Sequence, residues 1–243
     1  CYYINFFDNG ANISWSVPRQ WVYECYVPVF ENEAPVGSEL YNAVVAASKN
    51  ATEPRTYTDP ATEKVYYLYN GQIYRLYNKN VTNDDNVISN SSLNGQTPTA
   101  LNGFQFSGKY EQISNGQTDD RRLSFISRFF YTRDSYTLTL HSHNSIVDTY
   151  PMVFDEPLNS VMLKNGELIE PPYPTTLEEN AYEFDGWYAS PECIDGTEYN
   201  PASNSKMPAE NIALYAKWKP KTHTVRFFKT YEDMLRYETA QDT

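Results

Sequence analysis

The sequence predicts a mainly β chain with minor α content, arranged as tandem small modules, and three observations carry that reading. First, an aromatic cassette recurs: Gly103-Phe-Gln-Phe-Ser-Gly-Lys-Tyr-Glu111 aligns with Ala181-Tyr-Glu-Phe-Asp-Gly-Trp-Tyr-Ala189, so Phe104, Phe106, Gly108 and Tyr110 fall on Tyr182, Phe184, Gly186 and Tyr188. Second, Leu123-Ser-Phe-Ile-Ser-Arg-Phe129 lies opposite Ile212-Ala-Leu-Tyr-Ala-Lys-Trp218, with alternating apolar groups and a cation before the last aromatic. Internal similarity of this kind outranks local propensity as a guide to architecture. Third, the 22 tyrosines recur within segments rich in Val, Ile and Thr, which favours sheet.

The first module is expected over residues 1–131. Tyr3 to Phe7 reads as a strand ended by Asp8-Asn9-Gly10, whose residues tolerate positive φ. Trp21 to Phe30 is extended, and Pro28 points to an edge or a bulge. Tyr23 to Glu33 also resembles Val147 to Glu156 once a one-residue gap is allowed. Glu39 to Lys49 is the best helix, with Leu40, Val44 and Ala47 on one face and Ser38 as N-cap. Its apolar stripe is short, so it depends on packing against the sheet.

Residues 52–102 interrupt the repeat as an insertion. Within them Val65–Tyr69, Asn70-Gly71 and Gln72–Tyr77 spell a hairpin, because Asn-Gly suits a two-residue primed turn. Asn80 to Thr99, rich in Asn, Ser, Asp and Thr, reads as a surface loop. Tyr66, Tyr67, Tyr69, Tyr74 and Tyr77 make this ribbon a candidate contact surface for a host protein or glycan. Alternation puts Tyr67 and Tyr69 on one side and Tyr66 on the other. The competing reading is that one face simply packs on the first module.

The second module is expected over residues 132–220. Its parts are Tyr136–Leu140, Met152–Phe154, a short Val161–Leu163 strand, an Asn165-Gly166 turn, a Pro-rich connection from Pro171 to Pro174, then the two strands of the cassette. The first-strand pattern returns at Thr222–Phe228, so residues 221–243 read as the start of a truncated third module. Tyr231 to Tyr237 is helical or frayed in this reading. The chain opens without Met on strand-like sequence, as expected of a piece of a longer protein.

The balance of 31 Asp and Glu against 19 Lys and Arg, a net charge of -12, argues against nucleic acid and anionic membrane surfaces as partners. No apolar run reaches membrane-spanning length, which argues against membrane insertion. Three cysteines do not make a disulfide framework, although Cys1 and Cys25 could pair, while Cys193 stands alone in a loop. No motif of a serine hydrolase, zinc peptidase or phosphate-binding loop occurs, so no catalytic residue is assigned. His141 and His143 would share a strand face, but no Cys or carboxylate completes a metal set. Asp8-Asn-Gly10 and Asn83–Asn86 lack the ligand spacing of an EF-hand, and Asp119–Arg122 reads as a charged turn. No metal or cofactor is expected.

Phe184-Asp-Gly-Trp-Tyr188, then Gly196, Met207-Pro-Ala209, Asn211-Ile212 and Leu214-Tyr-Ala-Lys-Trp218, preceded by Pro171, Pro174 and Tyr182, resembles the Listeria-Bacteroides repeat, the internalin B-repeat module of bacterial surface proteins. The resemblance implies small β-grasp-like modules in tandem, the first enlarged by its hairpin-containing insertion, in a secreted or wall-attached multidomain protein. The first module departs from the pattern: Lys109 stands where the second has Trp187, and it lacks a Met-Pro-Ala segment. Physically the cassette is a packing device. Phe104, Phe106, Phe129, Tyr182, Phe184, Trp187, Leu214 and Trp218 are expected to build sheet cores, and Gly108 and Gly186 to permit a bend.

The function expected is therefore noncatalytic: an extracellular repeat fragment that spaces, stiffens or presents neighbouring modules of the same chain. The alternatives are an adhesin module acting through the tyrosine ribbon and an accessory region of a large secreted peptidase or glycosidase.

Overall fold

The computed structural model describes residues 3–4, 15–16, 18–84, 98–178, 180–203 and 205–241. Two compact units divide the chain. Unit 1 comprises Cys1–Tyr136, Pro151–Glu156 and Lys206–Glu210, and unit 2 comprises Thr137–Tyr150, Pro157–Ser205 and Asn211–Thr243.

In chain order the strands and helices are β1 (Tyr3–Ile4), β2 (Trp15–Ser16), β3 (Arg19–Pro28), α1 (Glu39–Ser48), β4 (Tyr57–Thr58), β5 (Val65–Tyr69), β6 (Gln72–Asp84), β7 (Phe104–Gln117), β8 (Leu123–Arg133), β9 (Ser135–Ser142), β10 (Ser145–Val153), α2 (Asn159–Met162), β11 (Leu163–Lys164), β12 (Glu167–Leu168), β13 (Tyr182–Tyr188), β14 (Ile212–Pro220) and α3 (Tyr231–Gln241). The turn at Asp8-Asn9-Gly10 and the partner thiol Cys1 lie outside the described residues.

Unit 1 is a six-stranded sheet in the order β4-β5-β6-β3-β8-β7. Its centre is β3, antiparallel to β6 and parallel to β8. Pro28 is therefore on a central strand rather than an edge. It is tolerated because it is the last residue of β3, where a missing N–H costs little. A bulge does occur, between Cys25 and Tyr26. The insertion is not peripheral: β6 runs on to Asp84 and pairs with β3 as far as Arg19. Asn80–Asp84, expected as loop, are strand because an adjacent ladder offers their backbone partners whatever their side chains prefer. Residues 85–97 lie outside the description.

The hairpin turn forms as expected, with Asn70 at φ 48° and Gly71 at φ 80° placing Tyr69 opposite Gln72. Helix α1 starts where the Ser38 Oγ accepts the Tyr41 N–H at 3.1 Å, with Glu39 in the first turn. Val44 is fully covered, and Leu40 and Tyr41 join it against Ala34, Tyr66 and Ile73.

Unit 2 is built on a four-stranded sheet in the order β10-β9-β14-β13, with β14 parallel to β9 and antiparallel to β13. Strands β9 and β10 meet at a tight turn of His143 and Asn144, both at positive φ. Val161 and Met162, expected in a strand, belong to α2, a single helical turn in which Met162 is fully buried. Three apolar residues do not separate a strand from a helical turn by period alone. Asn165-Gly166 makes the expected turn between β11 and β12. Thr222–Phe228 forms no strand here, whereas Tyr231–Gln241 is helical.

Candidate functional site

The recurring cassette was the first candidate, and its local geometry recurs too. In unit 2 the ladder between β13 and β14 shifts between Phe184 and Trp187, around Gly186 at φ 114°. In unit 1 the ladder between β7 and β8 shifts between Phe106 and Lys109, around Gly108 at φ 79°. Glycine at the bulge is the residue that holds such a φ without strain.

The bulge swings Trp187 inward, where it is 1% exposed and its indole N–H donates to the Ile169 carbonyl at 2.8 Å. It packs edge-on to Phe184 at 5.6 Å between centroids, Phe184 packs on Trp218 at 5.9 Å, and Tyr173 meets Trp218 at 5.1 Å. Trp218 donates its N–H to Ser142 Oγ at 2.9 Å. Leu214 is buried, and Tyr182 is partly covered.

In unit 1 Phe104, Phe129 and Tyr131 are buried with Cys25 and Val27, and Phe106 packs against them. Phe106 stands opposite Tyr131, as Phe184 stands opposite Trp218. The register counterpart of Trp218 is thus Tyr131 rather than Phe129. A slip of two residues keeps the same strand face, so alternation alone does not detect it.

The tyrosine ribbon is core rather than display. Tyr66 and Tyr67 are 2% exposed, Tyr74 is buried, Tyr69 is half-buried, and of the five Tyr77 alone is half in solvent. Tyr67 and Tyr74 gather with Tyr26 around Phe130, on which Tyr69 stacks at 4.0 Å, while Tyr66 faces α1. Both faces of the hairpin are covered, one by the β3–β8 aromatics and one by the helix. Burial, then the neighbouring carboxylates Glu33 and Glu111, push the Tyr66 and Tyr67 phenols up to about 12.

One polar constellation was not foreseen. Arg128, fully buried, holds Glu24 through Nε at 3.1 Å and Glu53 through Nη2 at 2.9 Å, and donates to the Pro54 carbonyl. Its guanidinium lies 4.4 Å from the centre of the Tyr67 ring, and Nη1 stands 3.9 Å from Glu111. Glu24 also takes the Tyr26 hydroxyl at 3.0 Å and Lys79 at 3.2 Å. The sequence signal was an Arg inside an apolar alternating strand, which requires buried carboxylate partners. Every acid here accepts from a cation or hydroxyl, which is a structural network rather than a poised acid and base.

The remaining candidates are dispersed. His141 stacks on Tyr215 at 4.8 Å and His143 sits in the turn, both bordering an open cavity of about 710 Å³ with Cys193, Lys217 and Trp218. No three His, Cys, Asp or Glu gather as a metal site among the described residues. Cys25 is a free thiol, 3.5 Å from the Tyr131 hydroxyl, and burial raises its pKa. No described helix is long and apolar enough to cross a membrane. Asp119–Arg122 is a turn tied by Thr118 and the Arg122 to Asp120 ion pair.

Residues 136–217 match the sequence model of the Listeria-Bacteroides repeat domain. Over 84 residues the chain is 37% identical to internalin H of Listeria monocytogenes serovar 1/2a (strain ATCC BAA-679 / EGD-e). The aligned stretch is 34% of this chain and 14% of internalin H, so the chain spans a small part of that relative.

Proposed function

We propose, on the premise that residues 136–217 form a Listeria-Bacteroides repeat, that this chain is a noncatalytic extracellular segment that spaces and presents neighbouring domains of a bacterial surface protein. The observation that carries the reading is where the aromatic residues go. Trp187, Phe104 and Phe129 of the recurring cassette, and Tyr66, Tyr67 and Tyr74 of the insertion, are all buried in packing, which supports a structural role for them. The burial of the tyrosine ribbon on both faces favours this over an adhesive surface built from it.

The strand pattern supports a β-grasp-like unit in tandem. Unit 2 pairs its strands antiparallel, parallel, antiparallel in the order β10-β9-β14-β13, and the stretch β6-β3-β8-β7 of unit 1 has the same directions. The first copy differs in connectivity, because α1 and the β4-β5 pair come between β3 and β6. In this reading residues 1–131 are an enlarged repeat whose insertion has been absorbed into the sheet.

The test is a swap in the parent surface protein. Replacing these 243 residues by an unrelated folded spacer of equal length should preserve display of the flanking domains, and deletion should impair it. Loss of host attachment with the unrelated spacer, display being intact, would reject the spacer reading for an adhesive one.

A further inference from the structure

Both sheets share one mechanical property. In unit 1 the parallel pair at the centre joins β3 to β8, from Arg19 opposite Leu123 to Tyr26 opposite Phe130. In unit 2 it joins β9 to β14, from Leu138 opposite Ile212 to Ser142 opposite Ala216. Each pair couples a strand near the entry of its unit to one near its exit. When a chain is pulled from its two ends, such a pair is loaded along its length. The strands must slide past each other, and all the evenly spaced rungs of the parallel ladder share the load at once. An antiparallel pair pulled at one end instead opens rung by rung.

Side chains reinforce both ladders, at directly opposed positions except for the diagonal contact between Ser142 and Trp218. Across β3 and β8, Trp21 stacks on Phe125 at 5.2 Å, Glu24 pairs with Arg128 at 3.1 Å, and Tyr26 stacks on Phe130 at 5.8 Å. Across β9 and β14, His141 stacks on Tyr215 at 4.8 Å, and Ser142 holds the Trp218 indole at 2.9 Å. In sequence, residues 131–137 lie between the last opposed pair of the first clamp and the first of the second, and only Asp134 of these is outside a strand.

We propose that the chain is a load-bearing element, carrying tension along its length through two shear clamps, β3–β8 and β9–β14, locked by stacked and charged cross-strand pairs. This rests on the spacer reading for its biological meaning, but the clamps are measured on the isolated chain. A failed swap and a weak clamp are therefore separate results.

The test is single-molecule pulling of the whole chain in two directions. In one, handles are attached at the two ends. In the other they are attached at Glu183→Cys and Lys219→Cys, directly opposed residues of the antiparallel β13–β14 pair, with Cys1→Ser and Cys193→Ser removing the two other thiols and Cys25 left buried. Forced rupture reports the barrier along the chosen direction rather than equilibrium stability. End-to-end pulling should rupture at several-fold higher force. At about 3.5 Å per residue, clamp release should lengthen the chain by about 400 Å for β3–β8 and about 300 Å for β9–β14. His141→Ala, which alters a half-buried ring outside the core, should lower the β9–β14 force and leave the Glu183/Lys219 force unchanged. Equal forces in the two directions, in a chain whose melting is cooperative, would overturn the proposal.

Discussion

At the scale of single residues, the sharpest contrast is between Trp187 and Arg128, both fully buried but held by opposite physics. Trp187 contributes apolar area and one satisfied N–H, so Trp187→Ala should destabilise unit 2 by ~3–5 kcal/mol, read from urea titration. Arg128 contributes ion pairs whose attraction is largely offset by the cost of burying the charges. Its removal takes the buried cation from Glu24 and Glu53, which keep the more exposed cations Lys79 and Arg55, so Arg128→Met should cost up to about 3–5 kcal/mol. The triple change Arg128→Met, Glu24→Gln, Glu53→Gln should recover most of that loss. A triple variant no more stable than Arg128→Met would mean that the ion pairs themselves hold the sheet. The buried phenols predict the alkaline limit. Tyr66 and Tyr67 ionise at about 12 when folded against an ordinary value of 10.0, so their contribution is fully present below pH 10 and is lost as pH rises towards 12. Melting temperatures followed with tyrosinate absorbance should fall across that window, and less steeply in Tyr66→Phe/Tyr67→Phe.

At the scale of elements, the glycines separate two kinds of constraint. Gly103 has φ 78°, and a Cβ there would enter the ring of Phe154, so Gly103→Ala should cost roughly 2–5 kcal/mol. Gly71, at φ 80° with open space around it, carries the backbone penalty alone, and Gly71→Ala should cost ~1–2 kcal/mol. Thermal melts of the two variants should keep that order. What the sequence made legible at this scale was local chemistry: Ser38 and α1, Asn70-Gly71 and its hairpin, Gly108 and Gly186 at their bulges. What it hid was long-range pairing. Nothing in Asn80–Asp84 announces that β3 will pair with them, and nothing in alternation fixes whether Phe129 or Tyr131 stands opposite Phe106. The role of the tyrosine ribbon is hidden for the same reason. Its two faces are legible from alternation, but their covers, α1 and Phe130, come from elsewhere in the chain.

At the scale of the whole molecule, the repeat is not cleanly excised by its sequence boundaries. Pro151–Glu156 and Lys206–Glu210 lie inside the matched stretch yet belong to unit 1. There Phe154 packs on Phe104, Arg133 donates to the Phe154 carbonyl, and Asp155 and Glu156 exchange backbone hydrogen bonds with Met207. A fragment ending at Tyr136 loses these segments, including buried Met152 and Met207. Its midpoint in urea should fall by the equivalent of several kcal/mol, since each such side chain is worth ~2–5 kcal/mol. An unchanged midpoint would show that the first unit closes its core without them.

The pairing of entry with exit strands also governs when the protein is able to fold. Arg19 waits for Leu123 and Leu138 for Ile212, so neither sheet can close while its last strand is still inside the ribosome or an export pore. A nascent chain of this design remains threadable through a narrow translocation channel until its final strand is delivered on the far side, where closure would then oppose backsliding.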